Sequence, residues 1–256
     1  MDSSALARYL FEMASEERLA ILESITAKPL KHAQLTRRLK MTGSETTRHL
    51  NRLQSAGMVR RNPRGEYEAT RLAALGLRGL SFFRFLTTQR EFLEAHDVLG
   101  LPPEFVERLG ALREGTFIAG TYEVVGTQVK YLRTVRRRCW VLSEQAFEQA
   151  IPILREKAVA GADVRVIRNR AAFERTIPVL GAVERNYPVR LLSETRIFLA
   201  VLDDTAGVSF PALDGKVDMA TMILLESPEG YQWAEDLFLQ FWNRAGEWLG
   251  PSTSPR

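Results

Sequence analysis

The sequence is poor in the residues that build metal, redox and membrane sites. A single cysteine, Cys139, excludes an internal disulfide and a thiolate metal cluster within one chain. The three histidines, His32, His49 and His96, lack the spacing of metal ligands, and no glycine-rich phosphate loop or nucleophile elbow is present. No apolar run reaches the length of a membrane span, and the N-terminus lacks a basic stretch followed by an apolar one. We therefore expect a cytoplasmic protein with no membrane partner, no metal and no cofactor.

Positive charge is concentrated in one short segment, residues 31–65. This segment holds nine Lys or Arg and one acid, Glu45, so its local net charge is +8, whereas the whole protein carries only +4. Residues 71–256 hold 23 basic and 23 acidic residues. A basic head on a neutral body indicates that the head meets a polyanion and that the body has a different role.

The head has the element order of a winged helix-turn-helix. Amphipathic spacing predicts a short helix over residues 4–13 and three further helices, with a turn at residues 28–30. The last helix covers residues 44–55, with Thr42 as its cap, Leu50 and Leu53 on its inward face and Gly57 as its stop. Short strands are predicted at residues 58–60 and 66–69, joined by a tight turn. A helix about 10 Å across fits the major groove of DNA, so the last helix is the predicted recognition helix.

The charges and small side chains of the head divide into two predicted tasks. Short residues at the start of the recognition helix let the backbone approach the bases, and Arg48 and Arg52, four residues apart, could each contact a base edge or a phosphate. Glu45 could accept from a cytosine amino group or only favour the helix N-terminus. The predicted DNA-binding residues of the recognition helix are Thr42, Gly43, Ser44, Thr47, Arg48, His49 and Arg52. Those predicted to contact mainly phosphates, and so to set the register on the DNA, are Lys31, Arg37, Arg38, Arg60, Arg61 and Arg64. The alternative is a winged helix used for protein contacts, with a merely solvated basic face.

A long apolar helix over residues 71–96 follows the wing. Its apolar residues cover more of the helix surface than one narrow stripe, which predicts that the helix is buried on more than one side. A helix in this position suits the pairing of two subunits, and a homodimer predicts a pseudo-palindromic operator in double-stranded DNA. The alternative is that the helix packs only on its own C-terminal domain. We expect three segments: a DNA-binding domain over 1–70, a helical linker over 71–114 and an effector-sensing domain over 115–250.

The body alternates strands and helices, which predicts an α/β sandwich with a mostly parallel sheet and an α+β chain overall. The predicted strands lie at residues 116–120, 139–143, 164–167, 189–192, 197–202 and 222–225. The predicted helices lie at residues 123–135, 145–160, 171–184 and 228–248.

Several stretches resemble known regulators. MTGSETTRHLNRLQSAGMV, residues 41–59, resembles the recognition helix and first wing strand of ArsR/MarR-type regulators. Together with FEMASEERLAILESI, FLTTQREFLEAHDVLGLPPEFVERLGAL and GTYEVV, it resembles the archaeal winged-helix regulators related to the methanogenesis regulator. This resemblance implies transcription regulation, with a middle domain after the DNA-binding head.

The body also resembles a phospholipase D-like half-domain in its strand–helix order. That enzyme family uses H-x-K-x4-D, but with Asp203 as the Asp, Phe198 stands at the Lys position and Arg196 at the His position. The resemblance therefore implies a non-catalytic scaffold, and we expect no enzyme of that type. Glu194, Arg196 and Asp203, near strand ends, are candidate contacts for an unknown small-molecule effector, or else ordinary surface charges. An enzyme of unknown chemistry with a DNA-targeting head stays a second alternative.

Overall fold

The computed structural model describes residues 3–144, 149–174, 186–194 and 196–248. The chain divides into two compact units, Met1–Ser81 and Phe82–Arg256, which we call the head and the body. None of the described helices is long and apolar enough to cross a membrane.

The head is a winged helix-turn-helix, as the sequence predicts. The wing is an antiparallel hairpin with Val59 opposite Ala69, and Gly65 takes a φ of +77° in its turn. Leu30, which the sequence places in a turn, instead pairs with Tyr67 as a third, one-residue strand. The elements of the head are α1 (Ser3–Met13), α2 (Glu16–Ala27), α3 (His32–Leu39), α4 (Gly43–Ser55), β1 (Val59–Arg61) and β2 (Tyr67–Ala69).

Helix α4 has a buried inward face and a well-defined C-terminal end. Leu50 and Leu53 are fully buried, which confirms the predicted inward face. At the C-terminus Gly57 adopts a φ of +69°, its N–H donates to the Gln54 carbonyl, and the Met58 N–H donates to the Leu53 carbonyl. This is a Schellman ending, and it confirms Gly57 as the stop signal.

The prediction of one helix over residues 71–96 is wrong. The structure has α5 (Arg71–Thr88) and α6 (Arg90–Ala95), with a break at Gln89. The Thr87 and Thr88 hydroxyls donate to carbonyls of the preceding turn, and such back-bonding competes with a continuous helix. A short helix α7 (Pro103–Val106) and a 3₁₀ turn (Leu109–Glu114) lead into the sheet.

The body is an α/β unit, as predicted, but its sheet is mostly antiparallel. Among the described strands, whose ranges are given below, the order in the sheet is β10-β6-β5-β4-β7-β8-β9-β3. Only the pairs β4–β5 and β5–β6 are parallel. Short links such as 202–205 between β7 and β8 make hairpins, which are antiparallel by geometry. The strands are β3 (Thr116–Ala119), β4 (Arg138–Ser143), β5 (Asp163–Asn169), β6 (Val189–Leu192), β7 (Phe198–Val201), β8 (Ala206–Ser209), β9 (Thr221–Leu225) and β10 (Gly246–Glu247).

Helices cover both faces of this sheet. On one face lie α8 (Thr121–Thr134) and α9 (Ala150–Val159), and on the other the C-terminal helix (Pro228–Arg244), which ends four residues earlier than predicted. Residues 145–148 of the predicted 145–160 helix, and residues 175–184 of the predicted 171–184 helix, lie outside the described residues. Cys139 is fully buried in β4, and burial raises the pKa of its thiol to about 12, so it is a core residue.

Candidate nucleic-acid interface

The first turn of α4 is held by a capping box. The Thr42 hydroxyl oxygen accepts from the Glu45 N–H at 3.2 Å, and the Thr42 N–H donates to Glu45 Oε2 at 2.8 Å. The Thr42 hydroxyl also donates to Glu45 Oε2 at 2.8 Å, and the two hydrogen bonds that the carboxylate accepts from Thr42 lower the pKa of Glu45. Of the two roles open to Glu45, the geometry therefore favours capping the helix over reading a base.

Hydroxyl and imidazole contacts set helix α4 against α3. The Thr36 hydroxyl donates to Thr46 Oγ1 at 3.1 Å, and Thr46 is fully buried. On the exposed side, the Thr47 hydroxyl donates to the Gly43 carbonyl at 2.9 Å, and His32 Nε2 lies 3.0 Å from Thr47 Oγ1. The recognition helix thus has a fixed angle within the head.

The two arginines of α4 have different surroundings. Arg48 is exposed, and no ion pair to it is present within the described part of the head. Arg52 donates from Nε to Glu12 Oε2 of α1 at 2.7 Å, and its guanidinium lies 4.8 Å from the centre of the Phe11 ring. Arg48 is therefore the better placed of the two to reach a base.

Glu12 also holds the buried Arg18. The Arg18 Nε lies 3.3 Å from Glu12 Oε2, and the same guanidinium donates to the carbonyls of Glu12 and Phe11 at the end of α1. Sequence reasoning missed this cluster of Glu12, Arg18 and Arg52. No local signal could have revealed it, because Glu12 and Arg52 lie 40 residues apart.

Replacing Glu12 with Gln should destabilise the head by about 1–3 kcal/mol at neutral pH, since Arg18 then loses its buried counter-charge. The hydrogen bond from Arg52 lowers the pKa of Glu12. The carboxylate therefore stabilises the fold above the pKa of an unfolded Glu, and that stabilisation disappears as the pH falls through the lowered folded-state pKa. Urea unfolding of both proteins between neutral and acid pH measures this.

The difference between wild type and Glu12→Gln should shrink at acid pH. The exposed Glu16→Gln is the matched control, expected within about 0.5 kcal/mol of wild type at neutral pH. A cost at Glu12 no larger than that of this control would show that the cluster is an ordinary surface ion pair.

The structure exposes every predicted DNA-binding residue of the head except one. His49 is only 9% exposed, and burial lowers the pKa of its imidazole, which makes it a poor phosphate ligand. On the wing, Arg60 pairs with Glu68 at 2.6 Å and Arg61 donates to the Gly65 carbonyl at 3.2 Å. The exposed set comprises Thr42, Gly43, Ser44, Thr47, Arg48, Arg52, Lys31, Arg37, Arg38, Arg60, Arg61 and Arg64.

The three candidate effector contacts in the body do not form one site. Glu194 and Arg196 pair with each other at 2.6 Å beside an open crevice, just before β7 begins. Asp203 lies after the other end of β7. Two of the three predicted contacts therefore line one crevice, and the third lies elsewhere.

Asp203 binds backbone amides. Its carboxylate accepts from the N–H groups of Arg136, Arg137 and Arg138 at 2.8, 2.9 and 2.7 Å. Burial by itself would raise the pKa of Asp203, but these three hydrogen bonds lower it overall. This carboxylate therefore holds the backbone at the start of β4 in place. No group of three or more His, Cys, Asp or Glu suited to a metal occurs among the described residues.

Two known families match this chain. Residues 15–61 match the family described as bacterial regulatory protein, arsR family. Residues 121–244 match the middle domain of methanogenesis regulatory protein FilR1. Together they cover about two thirds of the chain and agree with the resemblance in its sequence. No curated protein matches the chain by sequence.

Three similar solved structures share 10–25% sequence identity with the chain. TrmBL2, described as an archaeal chromatin protein with a novel mode of DNA binding, is 12% identical with a TM-score of 0.45, over 91% of this chain and 92% of its own. The phospholipase D family member Nuc from Salmonella typhimurium is 10% identical with a TM-score of 0.43, over 53% and 99%. NolR from Sinorhizobium fredii is 25% identical with a TM-score of 0.29, over 31% and 84%. All three TM-scores lie below 0.5, so these similarities assign no function to the chain.

Proposed function

We propose that this chain is a transcriptional regulator that binds promoter DNA as a homodimer under the control of a small-molecule effector, with an arsR-type helix-turn-helix over residues 15–61 and a FilR1-type middle domain over residues 121–244. Helix α4 enters the major groove, with Arg48 reading a base. The wing and the basic residues at the two ends of α3 contact the phosphates on either side. The effector binds the body and alters the affinity of the heads.

One observation carries the proposal of DNA binding. The net charge of +8 in residues 31–65 falls on the exposed surface of α3, α4 and the wing, the elements that meet a duplex in this fold. The capped and buried residues of α4 hold that surface in place, so DNA binding requires little further ordering of the helix.

Exposed leucines in the head support the homodimer. Leu6 and Leu10 of α1 are 60% and 41% exposed, and Leu72 and Leu75 of α5 are 50% and 66% exposed. The two helices touch, because the Tyr9 hydroxyl donates to the Leu72 carbonyl at 3.2 Å. An apolar surface of this kind on two adjacent helices is typical of a subunit interface.

Replacing Leu75 with Glu should convert the dimer to a monomer in sedimentation velocity. Burying one Leu contributes about 1.5–3 kcal/mol, and a charge in its place adds a desolvation cost, so dimer affinity should fall at least about tenfold. Leu213→Glu is the control, since Leu213 is 72% exposed in the body and should leave the oligomeric state unchanged. A wild type that already sediments as a monomer at micromolar concentration would contradict the dimer.

The body is proposed to sense rather than to catalyse. The positions of the H-x-K-x4-D pattern hold Arg196, Phe198 and Asp203, and the carboxylate of Asp203 is occupied by three backbone N–H groups. An α/β scaffold with these substitutions keeps the capacity to bind a small molecule.

A mobility-shift assay with the protein's own upstream DNA tests the proposal. We expect a specific shift at moderate salt that survives excess competitor DNA and is abolished by substituting the basic residues of α4. The absence of a specific shift with every upstream fragment would refute promoter binding. It would favour a winged helix that contacts proteins.

A further inference from the structure

A cavity of about 70 Å³ lies in the body between the sheet and helices α8 and α9. Its floor is a row of directly paired residues on four neighbouring strands. Val141 of β4 is opposite Ala200 of β7, Ala200 is opposite Gly207 of β8, and Gly207 is opposite Leu224 of β9. The two small residues at the centre of this row leave room above the sheet.

The middle of the sheet is less covered here than its flanks. Val141 and Ala200 lie on the two central strands, where packing is normally most complete, yet both are only half-buried. Leu132, Leu154 and Val166 form a packed cluster to one side. Val124, Phe198 and Met222 form another to the other side. The cavity is the gap between these two clusters.

The walls are mostly apolar and hold one buried cation, and the other polar side chains among the described lining residues are Thr127, Gln128, Tyr131, Gln149 and Thr205. Val125, Val129 and Leu132 of α8, with Leu154 of α9, face the cavity. Arg168 of β5 also lines it, is 3% exposed, and is the only Lys, Arg, Asp or Glu among the described lining residues. A guanidinium has five N–H donors in a planar fork, so one side chain can bond within the fold and also donate to a ligand.

We propose that this cavity binds a small apolar monocarboxylate, with the carboxylate held by Arg168 and the hydrocarbon over Ala200 and Gly207. A planar guanidinium matches a carboxylate in shape and charge, and the apolar walls match a short hydrocarbon. The volume corresponds to about five waters, which suits a ligand of about five to seven non-hydrogen atoms. This inference rests on the proposed function in one respect only: the ligand of the cavity would be the effector of the proposed regulator.

Calorimetric titration of the full-length protein tests the ligand class directly. The probes are 3-methylbutanoate and its neutral isostere 3-methylbutanamide, which differ in charge and little in shape. The acid should bind about 10- to 100-fold more tightly, as expected for one charge-assisted contact in an apolar site. Equal affinity for the two compounds, or no binding of the acid at millimolar concentration, would overturn the proposal.

Two variants locate the site. Ala200→Leu places its added atoms in the cavity, so it should abolish binding of the acid while keeping or raising the unfolding temperature. Arg168→Met should remove the preference for the acid over the amide. Arg155→Met, at an exposed position of α9 outside the lining residues, is the control and should bind as wild type. If Arg168→Met does not fold, Ala200→Leu decides alone, and an Ala200→Leu protein that binds the acid normally would overturn the site.

Adding the acid to the mobility-shift assay separates the two proposals. A change in promoter affinity that Ala200→Leu removes supports both. Binding of the acid without any change in promoter affinity upholds the cavity and refutes the effector role. Binding of the acid by a protein that shifts no DNA upholds the cavity and refutes the proposed function itself.

Discussion

Replacing Arg48 with Ala should weaken operator binding by about 1–3 kcal/mol, or roughly 5- to 150-fold in Kd. Arg48 is exposed on α4 with no ion pair in the described part of the head, so its whole guanidinium is available to the DNA. A base contact also predicts relaxed specificity at one operator position. Fluorescence anisotropy with the operator and with single-position variants measures both effects.

Arg52→Ala is the matched comparison for Arg48→Ala on the same helix face. Because Glu12 already holds Arg52 at 2.7 Å, its removal should cost the complex no more than about 1 kcal/mol. A uniform loss across all operator variants for Arg48→Ala would assign that residue to a phosphate instead. Equal losses for the two arginines would contradict the distinction drawn from their surroundings.

Replacing Asp203 with Ala should destabilise the body by about 2–4 kcal/mol, because three backbone N–H groups lose a charged acceptor. Asp203→Asn should cost less, about 1–2 kcal/mol, since its carbonyl can still accept the two bonds now made by Oδ1. Since the pKa of Asp203 is lowered, the wild-type advantage should be present above the unfolded-state pKa and lost as the pH falls through the folded value. Urea unfolding against pH measures this.

Asp204→Ala provides the control for Asp203. Asp204 is the adjacent exposed carboxylate, and its removal should change the stability by less than about 0.5 kcal/mol. An Asp203→Ala protein as stable as this control, but altered in its response to a small molecule, would restore Asp203 as a ligand contact.

The head could be predicted from sequence because its signals are local. The Thr42 cap, the apolar spacing of Leu50 and Leu53, and the stop at Gly57 each act within one or two turns of helix, and each is present in the structure. The exposure of the basic residues follows from the same periodicity. His49 was the exception, since a histidine on a polar helix gives no sign of which neighbours bury it.

The body could be predicted only in part because strand pairing is not local. Six strands lie where apolar runs indicate them, but strand direction depends on partners far apart in the chain, and five of the seven described pairings are antiparallel. Strand β8, Ala206–Ser209, was missed because its sequence AGVS has neither alternation nor β-branched enrichment. It is buried along its whole length, and Gly207 forms part of the cavity floor.

The dependence of operator affinity on salt concentration tests the central claim most directly. Phosphate contacts by Lys31, Arg37, Arg38 and the wing arginines, six side chains for each head, predict that log K falls with log salt at a slope of about −5 per head and about twice that for a dimer on two half-sites. Arg48→Ala should lower affinity at every salt concentration. A slope near zero, or equal affinity for the operator and for unrelated DNA, would contradict a sequence-reading basic head.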